Sequence, residues 1–186
     1  MFIRSERLFL RPGWPEDWQE LHAKIADEGV VRNLAQAPWP YTAEDARDFA
    51  GRAQDGRCPH FLITLPTASG PAALVGGVGL GRIEGEVELG YWIARDHWGQ
   101  GYATEAASAV LRLARALGHR ALVAGHFIDN PASGSVLRKV GFVATGKLRR
   151  RFSIARGYET QSVEHRIDLG KPCDCDVDDN RPMQAA

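Results

Sequence analysis

Trp98-Gly99-Gln100-Gly101-Tyr102-Ala103-Thr104-Glu105-Ala106 is the stretch around which the rest of the chain is read. To its left, Val87-Glu88-Leu89-Gly90-Tyr91-Trp92-Ile93-Ala94 has the character of a strand. To its right, Ala103, Ala106, Ala107, Val110, Leu111, Ala114 and Leu117 recur at helical spacing, the apolar stripe of an amphipathic helix. The order is strand, glycine loop, helix, with both glycines where the helix begins. A helix start leaves several backbone N–H groups without partners, and the macrodipole adds partial positive charge there. Glycines keep side chains out of the way, so an anion can approach those donors closely. The stretch reads as a phosphate-binding loop.

Two familiar nucleotide loops do not fit. The dinucleotide fingerprint G-x-G-x-x-G fails because Thr104 stands where its third glycine belongs. The loop also comes mid-chain, and no acidic residue closes a second strand about 20 residues later. Gly141-Phe142-Val143-Ala144-Thr145-Gly146-Lys147 is a near-match to the nucleotide-triphosphate loop. There Leu148 replaces the magnesium-binding hydroxyl, and Leu148-Arg149-Arg150-Arg151-Phe152 does not read as a helix.

The run from Gly90-Tyr91-Trp92-Ile93 through Trp98-Gly99-Gln100-Gly101-Tyr102-Ala103-Thr104-Glu105-Ala106 resembles the acetyl-CoA-binding motif of the GNAT acetyltransferases. Further on, Asn130-Pro131-Ala132-Ser133-Gly134-Ser135-Val136-Leu137-Arg138-Lys139-Val140-Gly141-Phe142 resembles that superfamily's second motif. The two in this order, separated by a helix and a strand, are more specific than either alone. With Leu8-Phe9-Leu10-Arg11-Pro12 they resemble the RimJ/RimL branch, which acetylates protein N-termini and small amines. The likeness runs from about Glu6 to Leu169; Trp98 departs from it, where the family often has Gln or Arg.

At 186 residues the chain is expected to form one domain over 1–170, with an acidic, disordered tail over 171–186. Lys plus Arg and Asp plus Glu are 23 each, so overall charge favours neither a nucleic acid nor a membrane surface as partner. Met1 to Arg7 is too charged for a signal peptide, and the longest apolar run, Ala72 to Gly81, falls short of the ~18 residues of a span. Three cysteines, Cys58, Cys173 and Cys175, give no disulfide framework, and Cys173-x-Cys175 lacks the further ligands of a zinc site. A cytoplasmic protein without a metal is the expectation.

Arg7 to Arg11 alternates as a first strand, and Pro15-Glu16-Asp17-Trp18 opens a helix with Trp18, Leu21, His22 and Ile25 as its buried stripe. His22 has no partner at metal-ligand spacing and reads as a packed or surface residue. Thr42 caps a second helix, with Asp45 closing the box. Trp39 and Tyr41, in the loop before it, either wall an acceptor cleft or staple helices to the sheet. Phe61–Leu65, Ala72–Ile83 and Glu86–Ala94 form antiparallel hairpins, and Ala121–His126 a buried strand. Phe142–Thr145 and Ser162–Asp168 would close the sheet, with the basic run Lys147–Arg151 between them as a solvated face or a meeting point for a phosphate or an acidic acceptor. The fold class is α/β: a mixed, mainly antiparallel twisted sheet of about six to seven strands with helices on both faces.

What the resemblance implies is N-acetyl transfer from acetyl-CoA, as co-substrate, to a primary amine. The alternative is a catalytically silent CoA-binding module. The amides of Gly99, Gln100, Gly101, Tyr102, Ala103 and Thr104 would hold the pyrophosphate. Backbone groups of Trp92, Ile93 and Ala94, where the family's strands splay, would take the pantetheine arm, and an N–H there would face the acetyl oxygen. Glu88 shares its face with Trp92 by strand parity and is the candidate general base, unless it merely faces solvent beside Glu84 and Glu86. Asn130 suits a helix N-cap ahead of Pro131; the family adds a CoA contact for Asn130 and a thiol-side hydroxyl for Ser133 as proton donor. The acceptor stays open among protein N-termini, aminoglycosides, polyamines and amino acids, and the chain would be a monomer or homodimer.

Overall fold

The computed structural model describes residues 1–170; the Cys173 and Cys175 segment and the expected acidic tail lie outside the described residues. Eight strands form one sheet in the order β1-β2-β3-β4-β5-β6-β8-β7. They are β1 (Ile3–Arg4), β2 (Phe9–Arg11), β3 (His60–Leu65), β4 (Ala73–Ile83), β5 (Glu86–Ile93), β6 (Ala121–Phe127), β7 (Val143–Ser153) and β8 (Tyr158–Asp168). Every neighbouring pair is antiparallel except β5 and β6, which run parallel and meet in register only at Glu88 and Val123. The mixed, mainly antiparallel sheet is as expected, with the two-residue β1 at its edge added.

Five helices cover the two faces: α1 (Trp18–Ile25), α2 (Glu28–Val31), α3 (Ala43–Ala50), α4 (Tyr102–Ala116) and α5 (Pro131–Lys139). The stripe of α4, with Ala106, Ala107, Val110, Leu111 and Ala114, packs with Phe61, Ile63, Val75 and Leu89 from one sheet face, and Leu137 of α5 joins it. On the other face Leu21, Ile25, Val30, Val31, Ala46 and Ala50 from α1 to α3 pack with Leu62, Leu74 and Trp92. Alternating side chains of β5 thus serve both cores, Leu89 and Ile93 one and Trp92 the other, as a strand period of two dictates.

The glycine-rich β4 has a steric purpose. A Cβ at Gly77 would come within 2.5 Å of the Trp92 indole nitrogen, and one at Gly79 within 2.8 Å of His60. Bare backbone at Gly77 makes room for the Trp92 indole, and at Gly79 for the close approach of β3 at His60. Thr42 caps α3 as expected: its hydroxyl accepts from Asp45 N–H at 3.2 Å, and the Asp45 carboxylate accepts from Thr42 N–H at 2.8 Å.

The C-terminal third departs from expectation. The basic run lies within β7, which extends from Val143 to Ser153, so it is no linker between two short strands. Its arginines reach glutamates elsewhere in the sheet and its turns: Arg149 pairs with Glu84 of the β4–β5 turn and Glu164 of β8, Arg150 with Glu159 of β8, and Arg151 with Glu88 of β5. Strand, not helix, follows Gly146, which agrees with setting the nucleotide-triphosphate match aside.

Candidate active site

The glycine loop sits at the base of α4. Gly99 and Gly101 have φ of +74° and +81°, a left-handed region where a side chain costs about 1 kcal/mol or more. Gly101 occupies the N-cap position without a side-chain cap, and the first helical bond runs from Glu105 N–H to Gly101 O at 3.1 Å. The N–H groups of Tyr102, Ala103 and Thr104 therefore precede any helical acceptor. A Cβ at Gly99 would meet nothing within 4 Å, so the loop's approach is open. Trp98 holds the strand end: its indole Nε1 donates to Ile93 O at 2.7 Å.

Beyond the Glu88–Val123 contact, β5 and β6 part company. Ala94 N–H donates to Val75 O on β4 at 2.9 Å. In an antiparallel ladder the bonding alternates, so Trp92 and Ala94 spend their amides on β4 while Tyr91 and Ile93 turn theirs toward the gap. Of the expected set Trp92, Ile93 and Ala94, Ile93 keeps its amide toward the gap while Trp92 and Ala94 turn theirs to β4, and Tyr91 joins Ile93. The Ile93 carbonyl is already taken by Trp98.

A cleft of about 520 Å³ joins these parts. Glu88, Tyr91, Trp92, Ile93, Gly99, Gly101, Tyr102, Ala103, Thr104, Asn130 and Ser133 all line it. Glu88 lies across from Arg151 of β7, whose Nη1 and Nη2 donate to Oε1 and Oε2 at 2.5 and 2.8 Å. The hydrogen bonds of Glu88 hold the Arg151 guanidinium above its usual range. Glu86 instead pairs with Arg166 outside the cleft's lining, and Glu84 with Arg149. On the α5 side, Asn130 Oδ1 accepts from Ser133 N–H at 3.3 Å, which is the expected cap ahead of Pro131.

Sequence reading missed three groups here. The Tyr91 hydroxyl donates to Ser133 O at 3.0 Å and lies 2.9 Å from Ser133 Oγ; burial pushes it up to about 12 against the opposing Ser133 bond. His126 lines the cleft with Nδ1 buried and unpartnered, its ring 5.0 Å from that of His165. Burial first, then the His165 and Arg138 charges, keep His126 below the usual imidazole range. Arg151 is the third. Helical or strand periodicity signals none of them; Tyr91 alone could have been found, by its place in the glycine-loop motif.

Trp39 and Tyr41 are not brought to the cleft. Tyr41 is buried in the α1–α3 core with its hydroxyl on Asp45 O at 3.2 Å, and Trp39 lies exposed elsewhere. The stapling reading fits Tyr41. Another part of the cleft wall is made by Asn33, Leu34 and Ala35 after α2 and by Phe127 of β6. The β7–β8 turn docks on that wall: Ile154 N–H donates to Ala35 O at 3.0 Å, and Arg156 Nε to Arg32 O at 2.8 Å. Arg156 also grips Asp129 with two bonds of 2.9 and 3.0 Å, which hold the Asp129 carboxyl below its usual range.

Among the described residues no helix is long and apolar enough to cross a membrane, and no group of three or more His, Cys, Asp or Glu is placed to hold a metal ion.

Known proteins are similar to this chain in sequence and fold. The N-acetyltransferase YnaD of Bacillus subtilis is 25% identical over 81% of this chain and 87% of its own. An acetyltransferase of the GNAT family from Bacillus anthracis superposes with a TM-score of 0.76 at 25% identity, covering 91% of this chain and 99% of that one. RimL, a ribosomal α-N-protein acetyltransferase solved in complex with coenzyme A, shares the fold with a TM-score of 0.73 at 19% identity, covering 90% and 98%. Residues 7–143 match the family model described as the acetyltransferase (GNAT) domain, and the chain belongs to that family.

Proposed function

We propose that this chain transfers an acetyl group from acetyl-CoA to a primary amine, a small molecule or a protein N-terminus, by direct attack with both substrates bound. One observation carries the reading: the unbonded amides of the glycine loop, the parted edge of β5 and the Glu88 carboxylate open onto one cleft. The residues present fit the donor. The Tyr102, Ala103 and Thr104 amides suit a pyrophosphate, and the edge groups of Tyr91 and Ile93 suit the amides of a pantetheine arm. The acetyl donor supplies a thioester carbonyl already activated toward amines.

The chain's own groups do the rest. An edge N–H of Tyr91 or Ile93, fixed in the sheet, is a pre-aimed dipole for the acetyl oxygen as charge gathers on it. Glu88 accepts the proton of the attacking amine, directly or through one water, and Arg151 orients the carboxylate that does so. Ser133 and Tyr91 face the sulfur side. With Tyr91 at about 12 and an ordinary thiol near ~8.5, proton transfer to a departing thiolate runs uphill by roughly three units. Ser133 serves that sulfur by donating a hydrogen bond, its one hydroxyl proton being free to do so when Tyr91 donates to Ser133 Oγ. Asn33, Leu34 and Phe127 form the acceptor's wall.

Thiol release from acetyl-CoA against a panel of amines tests this: a polyamine, an aminoglycoside, free amino acids and peptides beginning with Ser or Ala. Amine-dependent release is expected from at least one. Coenzyme A binding with no release for any amine would make the chain a silent CoA-binding module.

A further inference from the structure

We propose that Arg7 is a positioning residue of the donor site, acting with Glu105 to fix the Gln100–Gly101 peptide so that its N–H faces the cleft. This rests on the acetyl-CoA reading above. Arg7 lies just before Leu8 and β2, 93 residues ahead of Gln100. Its Nη1 donates to Gln100 O at 3.0 Å, and its Nε to Glu105 Oε2 at 2.8 Å. Its backbone N–H and the Ser5 hydroxyl both donate to Glu105 Oε1 at 2.7 Å. The guanidinium lies 4.8 Å from the centre of the Tyr102 ring. One side chain therefore holds the loop carbonyl, and the carboxylate of the first turn of α4 holds that side chain in place. Burial works against the Glu105 charge; the Arg7 N–H, the Ser5 hydroxyl and the Arg7 guanidinium more than offset it and keep the carboxyl below its usual range.

The geometry has a consequence on the opposite side of the peptide. In a planar trans peptide the C=O and the following N–H point in opposite directions. Arg7 takes the Gln100 carbonyl and stands outside the cleft, whereas Gly101 lines it. The Gly101 N–H is thereby turned toward the cleft, next to the amides of Tyr102 to Thr104. Gln100 sits between two glycines of positive φ, each free to adopt other conformations, so without the clamp this peptide can rotate at little cost. Arg7 touches no ligand in this scheme; it selects one loop shape from several.

The test compares a donor bearing a pyrophosphate, acetyl-CoA, with S-acetylpantetheine, which lacks one. For Arg7→Ala, KM for acetyl-CoA and the Kd of CoA should rise about tenfold while kcat stays within about twofold. KM for S-acetylpantetheine should not move. Arg7→Lys, which can reach one acceptor in place of two, should recover part of the loss, and Glu105→Gln should show a milder form of it. If Arg7→Ala does not fold, those two variants carry the same comparison. Unchanged CoA affinity, or equal losses for both donors, would overturn the proposal, since equal losses mean a general slackening of the fold. A wild type that binds no CoA at all would overturn the acetyl-CoA reading and this role together.

Discussion

Arg151 of β7 grips the Glu88 carboxylate of β5 with two hydrogen bonds of 2.5 and 2.8 Å, across 63 residues of chain. The pair sits in the cleft wall with both side chains about four-fifths covered, at 23% and 19% exposure. If Glu88 is the base, Glu88→Gln keeps the shape and one hydrogen bond but removes the proton acceptor. We expect kcat to fall about 100-fold with KM for acetyl-CoA nearly unchanged. Activity within threefold of wild type would make the pair a scaffold alone.

Tyr91→Phe tests the sulfur side. Loss of one hydroxyl behind Ser133 should lower kcat about tenfold or less, because a hydrogen bond and not a proton is withdrawn. The same variant has a signature in stability. Tyr91 and Tyr41 both titrate near about 12 when folded, against 10.0 for an ordinary tyrosine. Above pH 10 the unfolded chain loses protons that the folded chain keeps, so stability is intact below that pH and is lost as pH rises toward about 12. Denaturation midpoints over that range should fall less steeply in Tyr91→Phe; an identical slope would refute the buried-hydroxyl account.

His126 gives the acid side of the same argument. Its folded form favours the neutral ring, so below the ordinary value of 6.5 the unfolded chain takes up a proton that the folded chain resists. Stability is present above that pH and is lost as pH falls. His60, depressed by burial and by Arg52, contributes in the same direction. Urea midpoints between pH 7.5 and 5 should therefore fall in the wild type and fall less in His126→Gln. Parallel curves would show that His126 carries no such linkage.

The docked β7–β8 turn predicts a different split. Arg156, 6% exposed in its side chain, ties Asp129 and the Arg32 carbonyl together near Asn33 to Ala35 and Phe127 of the cleft, the side proposed for the acceptor. Asp129→Asn should destabilise the fold by roughly 1–3 kcal/mol and raise KM for the amine while leaving KM for acetyl-CoA alone. Equal changes in both constants would show that the turn does not shape the acceptor side in particular.

The central strand, loop and helix were legible because their signals are local. A helical period, two glycines and a preceding apolar run lie within thirty residues, and each maps onto β5, Gly99–Gly101 and α4. The β7 strand was hidden because Lys147 to Arg151 reads as a charged linker until its partners are known. Those partners come from elsewhere in the chain: Glu88 from β5, Glu164 from β8 and Glu84 from the β4–β5 turn. Tyr41 misled for a related reason: directly after Pro40 in a loop with two prolines it looks exposed, yet it packs among α1 to α3, and Asn33, Leu34 and Phe127 line the cleft instead. Of the β5 amides, Ile93 was expected to be open and Tyr91 was not, since only the pairing with β4 decides which alternate groups remain.

Calorimetric titration of acetyl-CoA into the wild type and into Gly101→Glu tests the central claim most directly. The substitution sets a side chain at a φ of +81° and a carboxylate beside the Arg7 guanidinium, in the loop meant for the pyrophosphate. Wild type should bind and the variant should not, with both folded by circular dichroism. A wild type that binds neither acetyl-CoA nor CoA, or a folded Gly101→Glu that binds as tightly as wild type, would contradict the account.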